Sequence, residues 1–78
     1  MRIKILGIED CPYCKKAKWL STMPGLAEEV VYATVSRDQK PEIIALIGKD
    51  YETYPVVLID DEYIGGFNEL NDKVNSIT

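Results

Sequence analysis

The sequence of 78 residues contains no histidine and only two cysteines. Histidine is the commonest general base and a common metal ligand, so its absence directs any catalysis to other side chains. A structural zinc site needs four ligands, which two cysteines without histidine do not supply from one chain. Positive charge is also scarce, with nine Lys and Arg against thirteen Asp and Glu and a net charge of −4. This balance disfavours binding to nucleic acid or to an anionic membrane.

Long apolar runs are missing as well. Runs such as Val56–Ile59 fall far short of the ~20 residues that a membrane-spanning helix needs. No basic and then apolar leader opens the chain, so we expect no export and a location in the cytoplasm, where thiols stay reduced. Apolar residues make up 46% and charged residues 28% of the sequence, which is typical of a folded protein. The short length predicts one domain over residues 1–78.

The hydrophobic pattern predicts alternating strands and helices. Four strands are expected, the last two joined by a hairpin turn at Asp60 and Asp61: residues 2–8, 30–35, 56–59 and 63–64. Three helices are expected, the last carrying apolar residues at helical spacing (Phe67, Leu70, Val74 and Ile77): residues 11–22, 41–47 and 67–77. The order β-α-β-α-β-β-α favours two parallel crossovers and an antiparallel edge. It predicts an α/β, thioredoxin-like fold with a four-stranded mixed sheet and three helices.

Both cysteines lie in one tetrapeptide, Cys11-Pro12-Tyr13-Cys14, after the first strand and at the start of the first helix. A disulfide that closes so short a loop constrains the unfolded chain little, so a purely stabilising role is disfavoured. The N-terminus of a helix offers free backbone N–H groups and a partial positive charge, which favour a thiolate. We therefore expect Cys11 to be the exposed nucleophile and Cys14 to be the resolving thiol.

Charges of both signs flank the first cysteine. Lys15, Lys16 and Lys18 follow it within about two helical turns and favour a thiolate. Glu9 and Asp10 precede it directly and oppose a thiolate. The sequence leaves the balance between them open.

Three motifs in this order resemble those of dithiol glutaredoxins. They are the sequences CPYC at 11–14, Thr53-Tyr54-Pro55 before a buried strand, and Gly65-Gly66-Phe67-Asn68 before the last helix. The resemblance covers nearly the whole chain. It implies a thiol–disulfide oxidoreductase that reduces protein disulfides and glutathione mixed disulfides. Glutathione is then a co-substrate, and no metal or tightly bound cofactor is needed.

The resemblance also implies a groove for glutathione. In the family, the proline that matches Pro55 is cis, and the backbone of the residue that matches Tyr54 pairs with the cysteinyl part of glutathione. The N-terminus of the last helix is the implied seat of the γ-glutamyl carboxylate. The residues implied to form this groove are Tyr13, Thr53, Tyr54, Pro55, Gly66, Phe67 and Asn68.

Three positions depart from the family pattern. Ile8 stands where the family often has a lysine, Asn68 where it commonly has an aspartate, and Tyr54 where it usually has a valine. Lys49 or Arg37 could supply the missing positive charge. These departures weaken the expected binding of glutathione and leave the dithiol chemistry intact.

Several alternatives stay open at this point. One is a glutaredoxin-like protein reduced by thioredoxin reductase, which the missing lysine and aspartate would suit. Others are a dimer that carries an iron–sulfur cluster on the thiolates of two protomers and an interaction domain without redox activity. The resemblance implies a monomer whose partners are glutathione and disulfide-containing proteins, ribonucleotide reductase among them, with no nucleic acid or membrane partner.

Overall fold

The computed structural model of the protein describes the backbone of residues 1–77 and the side chains of residues 1–76. Its strands and helices are β1 (Arg2–Gly7), α1 (Pro12–Ser21), β2 (Glu29–Thr34), a short 3₁₀ turn (Arg37–Gln39), α2 (Lys40–Ile47), β3 (Val56–Ile59), β4 (Glu62–Gly65) and α3 (Phe67–Ile77). The predicted order is confirmed, and each element lies close to its predicted range. The prediction that Ile77 belongs to the apolar side of α3 concerns a side chain outside the described residues.

The four strands form one mixed sheet in the order β2-β1-β3-β4. β1 and β2 are parallel, from Arg2 opposite Glu29 to Gly7 opposite Thr34, so the first predicted crossover is confirmed. β3 is antiparallel to both β1 and β4. The prediction of a second parallel crossover, from β2 through α2 to β3, is therefore wrong. The pattern of β3 could not reveal this, because a strand buried along its whole length has the same apolar run in either direction.

The hairpin between β3 and β4 is tight. Its two turn residues, Asp60 and Asp61, have φ values of 51° and 68°, as a two-residue type I′ turn requires. The turn is also tied to the start of β1. Arg2 N–H donates to the Asp60 carboxylate over 2.9 Å, and Asp60 N–H donates to the Arg2 carbonyl over 2.8 Å.

Two helices begin near a proline, and one ends at a glycine. Pro12 and Pro41 lie in the first turns of α1 and α2, where a missing N–H group does no harm. Gly48 ends α2 in the left-handed region, at a φ of 82°. No helix within residues 1–77 combines the length and the apolar character that crossing a membrane requires.

Apolar side chains cover both faces of the sheet. The face under α1 and α3 is filled by Ile3, Ile5, Ala17, Leu26, Val57, Ile59, Leu70 and Val74. The opposite face, under α2, is filled by Leu6, Ile43, Tyr51, Val56 and Leu58. Successive residues of a strand point to opposite faces, so β1 and β3 contribute to both clusters. β1 is thereby held at the centre of the sheet, and its end leads into residues 8–10 and the first cysteine.

Candidate active site

The two cysteines form a disulfide at the start of α1, with their Cα atoms 5.2 Å apart. Cys14 lies inside the first turn and is fully buried, with 0% of its surface exposed. Cys11 is half-buried. Of the two cysteines, Cys11 is therefore the one that solvent and solutes can reach.

Cys11 is the N-cap residue of α1. Its backbone is extended, with φ −113° and ψ 104°, and its Sγ accepts a hydrogen bond from the Cys14 N–H over 3.2 Å. The free N–H groups and the positive end of the helix dipole stabilise negative charge at this position. In the reduced protein, the start of α1 therefore favours a thiolate at Cys11.

Gly7, the last residue of β1, packs directly under the cysteines. A Cβ atom at this position would lie 2.5 Å from Tyr32 Oη and 3.0 Å from Cys14 Cβ. Both distances are shorter than ordinary contacts, so β2 and α1 approach the end of β1 as closely as a glycine allows. This packing fixes the buried cysteine against the sheet.

The Tyr54–Pro55 peptide bond is cis, as the resemblance implied. Pro55 is buried and leads into β3. Its carbonyl oxygen would lie 3.2 Å from a Cβ atom at Gly66. The second and third sequence motifs are thus in contact with each other at one edge of the site.

Two grooves meet at Thr53 and Tyr54, which line both. The cysteine groove, of about 300 Å³, is lined by Ile8, Asp10, Cys11, Pro12, Arg37, Glu52, Thr53 and Tyr54. The α3 groove, of about 270 Å³, is lined by Tyr13, Thr53, Tyr54, Gly66, Phe67, Asn68 and Glu69. Six of the seven residues that the resemblance implied for glutathione line the α3 groove. The seventh, Pro55, is buried beside them.

Tyr54 lines both grooves and so forms a wall that they share. A second tyrosine holds it in place. The Tyr54 hydroxyl lies 2.8 Å from the Tyr51 hydroxyl, and the two rings meet edge to face at 5.3 Å. Burial, together with the hydrogen bond to Tyr54, raises the pKa of Tyr51 well above its usual range. The hydrogen bond between the two hydroxyls keeps the wall in place.

The charges of the cysteine groove are mixed. The Arg37 guanidinium lies 5.6 Å from the centre of the Tyr54 ring and lines the groove beside Asp10 and Glu52. Lys49, the other cation considered from the sequence, lies over the Tyr63 ring at 5.4 Å and does not line either groove. Within residues 1–77, no group of three or more His, Cys, Asp or Glu side chains is placed to hold a metal ion.

Tyr13 joins the start of α1 to the start of α3. Its ring lies 5.8 Å from that of Phe67, and it remains 56% exposed. The Lys16 ammonium lies 5.2 Å from the centre of the Tyr13 ring. The aromatic pair therefore forms an apolar side of the α3 groove next to the disulfide.

Sequence reasoning missed one residue of the α3 groove, Glu69. Its Oε1 accepts a hydrogen bond from the Gly66 N–H over 3.2 Å. Burial and, secondarily, the charge of Glu69 raise the pKa of Tyr63. The signal for Glu69 was present in the sequence, because a Glu at the third helical position often caps the backbone of the residue before the helix.

The fold and the paired cysteines at a helix N-terminus define a thioredoxin-like protein with a dithiol site. A profile of the family described as "Glutathione S-transferase, N-terminal domain", itself a thioredoxin-like domain, matches residues 5–72. Glutaredoxin 1 of Rickettsia bellii is 36% identical over 74 residues, covering 90% of this chain and 74% of the relative. The glutaredoxin of Vibrio cholerae is 34% identical over 75 residues, covering 90% of this chain and 86% of the relative.

A solved structure gives the same result. The crystal structure of glutaredoxin 1 from Francisella tularensis complexed with cacodylate matches with a TM-score of 0.76 and 28% identity, covering 97% of this chain and 94% of that one. The chain belongs to the glutaredoxin family. It is a thiol–disulfide oxidoreductase with a dithiol active site.

Proposed function

We propose that the protein reduces protein disulfides and glutathione mixed disulfides at the expense of glutathione, with Cys11 as the nucleophile and Cys14 as the resolving thiol. One observation carries this proposal: the two cysteines differ in access. Cys11 lines an open groove, whereas Cys14 is completely buried. An incoming disulfide therefore meets the sulfur of Cys11 first.

The reaction begins when the Cys11 thiolate attacks one sulfur of a target disulfide. A new S–S bond joins Cys11 to the target, and the other target sulfur leaves with the bonding electron pair and takes up a proton. Cys14 then loses its proton and attacks the Cys11 sulfur, so the first target sulfur leaves in the same way. The target has gained two electrons and two protons, and the protein carries the Cys11–Cys14 disulfide.

Two glutathione molecules return the protein to the dithiol. The thiolate of the first attacks Cys11, and Cys14 leaves with the electron pair and is protonated. The thiolate of the second attacks the glutathione sulfur bound to Cys11, which produces glutathione disulfide and frees the Cys11 thiolate. With a glutathione mixed disulfide of a target protein, the Cys11 thiolate attacks the glutathione sulfur, and the target sulfur leaves with the electron pair and is protonated. A further glutathione then attacks the glutathione sulfur bound to Cys11, as in the last step above.

The α3 groove supports the use of glutathione. Tyr54, next to a cis proline, lines this groove, and its backbone is proposed to pair with the extended cysteinyl residue of glutathione. The first N–H groups of α3, at Phe67 and Asn68, lack partners within the helix and suit the γ-glutamyl carboxylate. Glu69 lines the same groove and is proposed to pair with the γ-glutamyl ammonium. Asn68 is uncharged and cannot form this ion pair.

The cysteine groove offers a cation for the other end of glutathione. Arg37 lines this groove together with Cys11. We propose that Arg37 binds the glycyl carboxylate of glutathione. It would thereby take the role of the lysine that the family often has at the position of Ile8. Its ring contact with Tyr54 keeps the guanidinium from moving away.

Several further points are proposed with the activity. Residues 1–78 act as one domain and as a monomer, with no tightly bound cofactor. The cytoplasm is the proposed location, because a dithiol of this kind works only where the surrounding thiol pool keeps it reduced. Ribonucleotide reductase is a proposed target among disulfide-containing proteins.

The test is turnover of a glutathione mixed disulfide with glutathione, glutathione reductase and NADPH. We expect Cys11→Ser to abolish turnover and Cys14→Ser to retain part of it, because the glutathione stage uses only Cys11. Survival of activity in Cys11→Ser would contradict the assignment of the nucleophile. If wild type is inactive here but reduces insulin with thioredoxin reductase and NADPH, the proposed electron donor is wrong while the dithiol chemistry stands.

A further inference from the structure

We propose that the solvent side of α1 next to Cys11 is a docking surface for an acidic segment of a disulfide-containing target protein. This α1 surface consists of Lys15, Lys16 and Trp19. The proposal names a substrate class for the same site, and it rests on the proposed role of Cys11 as the nucleophile.

The first observation is an exposed tryptophan. Trp19 is 75% exposed, more than any other large apolar side chain in residues 1–76. A single exposed apolar residue is common on protein surfaces, so its meaning depends on what surrounds it. Tryptophan has a large apolar area to bury against a partner, and it is enriched among the residues that dominate binding energy at interfaces.

The second observation is the charge around Trp19. α1 carries three lysines, Lys15, Lys16 and Lys18, and no acidic residue, although the whole chain has a net charge of −4. None of the ion pairs within residues 1–77 uses these lysines. Two of the three ammonium groups lie over tyrosine rings at 5.2 and 5.1 Å, contacts that leave the positive charge in place. α1 is thus a positive and unneutralised helix on a negative protein.

The third observation is the alignment of these residues with the reactive sulfur. Cys11, Lys15 and Trp19 follow one another at intervals of four, which places them on one side of a helix. The helical turn begins at Cys11 itself, since Lys15 N–H donates to the Cys11 carbonyl over 3.2 Å. The row from Cys11 to Trp19 is about 12 Å long at the usual helical rise. About four residues of an extended segment span that length.

The surroundings also favour one side of Cys11 for the acidic segment. Asp10 and Glu52 line the cysteine groove, and Glu9 directly precedes Asp10 in the chain. These three carboxylates outnumber the one cation of the groove, Arg37, so the loop side of Cys11 attracts an acidic segment less than Lys15 and Lys16 do on the helix side. The acidic residues of a target should therefore lie within about four positions on one side of its reactive cysteine.

The test is a single-turnover reaction of the reduced protein with synthetic peptides, in the absence of glutathione. Each peptide has one cysteine in disulfide linkage to thionitrobenzoate, followed by a leucine and either three glutamates or three glutamines. The Cys11 thiolate attacks the peptide sulfur, and coloured thionitrobenzoate leaves with the electron pair. A third substrate, the mixed disulfide of mercaptoethanol and thionitrobenzoate, gives the reference rate for a small disulfide with the same leaving group.

We expect wild type to react about tenfold faster with the glutamate peptide than with the glutamine peptide at low salt, and we expect added salt to remove this preference. Lys15→Gln should lose most of the preference, and Trp19→Ala should slow both peptides. Trp19→Ala should not change the reaction with the mercaptoethanol substrate. Lys15→Gln also removes a charge that favours the Cys11 thiolate, so it should slow this substrate, but far less than it slows the glutamate peptide. Lys4→Gln, which removes one charge from an exposed position on β1, is the matched control and should keep the preference.

Three results would overturn the docking surface. The first is that wild type reacts with both peptides at the same rate. The second is that Lys4→Gln reduces the preference for the glutamate peptide as much as Lys15→Gln does. The third is that Lys15→Gln slows the mercaptoethanol substrate as much as it slows the peptides. In each of these cases Cys11 still reacts with the small disulfide. If wild type reacts with none of the substrates, the proposed role of Cys11 fails, and the docking surface fails with it.

Discussion

The N-termini of α1 and α3 border the same Tyr54 wall, and they are capped by different groups. At α1 the Cys11 sulfur accepts a hydrogen bond from the Cys14 N–H, and at α3 the Glu69 carboxylate accepts one from the Gly66 N–H, both over 3.2 Å. Each helix end favours negative charge near it. In the reduced protein, the first favours a thiolate at Cys11, whereas the second holds the carboxylate of Glu69.

The two helix ends also differ in how they are supported. α1 starts over a buried cysteine and the close contact at Gly7, so its reactive atom is held in one place. α3 starts at the surface, where Asn68 and Glu69 are exposed. The dithiol thus lies at the more firmly packed helix end, and the more exposed end is the one to which we assign the binding of glutathione.

The largest expected effect on stability comes from the support under α1. Gly7→Ala places a methyl group against Tyr32 Oη and Cys14 Cβ, and overpacking of this kind costs about 1–3 kcal/mol. The free energy of unfolding, measured with urea, should fall by that amount. Adding Tyr32→Phe removes the nearest atom and should restore part of the loss. Equal stability of wild type and Gly7→Ala would show that the helix end is not held as tightly as described.

The wall between the two grooves should be the next most sensitive. Tyr54→Phe leaves the Tyr51 hydroxyl, in a side chain only 4% exposed, without its hydrogen-bond partner. An unsatisfied buried hydroxyl costs about 1–3 kcal/mol. The double variant Tyr51→Phe/Tyr54→Phe removes both hydroxyls and should be more stable than Tyr54→Phe. If the double variant is the less stable of the two, the hydrogen bond is not the reason for the loss.

The same tyrosine pair predicts a dependence of stability on pH. An unfolded tyrosine ionises near pH ~10, whereas burial and the hydrogen bond to Tyr54 raise the pKa of Tyr51 in the folded protein. The unfolded state therefore loses its proton first, so this contribution to stability is complete below that pH and is lost as the pH rises above it. The melting temperature of wild type should fall above pH ~10, and it should fall less steeply in Tyr51→Phe.

The smallest expected effect concerns the open helix end. Glu69→Gln keeps an oxygen for the Gly66 N–H but removes the charge that is proposed to pair with the ammonium of glutathione. Since exposed ion pairs are weak, KM for glutathione should rise only about two- to fivefold. The single-turnover reaction with the mercaptoethanol disulfide should not change, because α1 is untouched. Glu62→Gln on β4, which removes an equally exposed charge, is the control. An unchanged KM in Glu69→Gln would remove the role assigned to Glu69.

Local signals in the sequence predicted much of the fold. The start of α1 at Pro12, the end of α2 at Gly48 and the turn at Asp60 and Asp61 each depend on residues that are neighbours in the chain. Backbone preference at such positions acts over two to four residues, so the pattern is readable without tertiary structure. The position of Cys11 at a helix N-terminus is predictable for the same reason.

Two features required the tertiary structure: the direction of β3, and the placement of Arg37 rather than Lys49 beside Cys11. Each depends on which distant segments become neighbours when the sheet forms. The sequence by itself determined that a dithiol would stand at the start of a helix in a small α/β fold. Tertiary packing decided which charges and aromatic rings surround that dithiol, because those contacts join residues far apart in the chain.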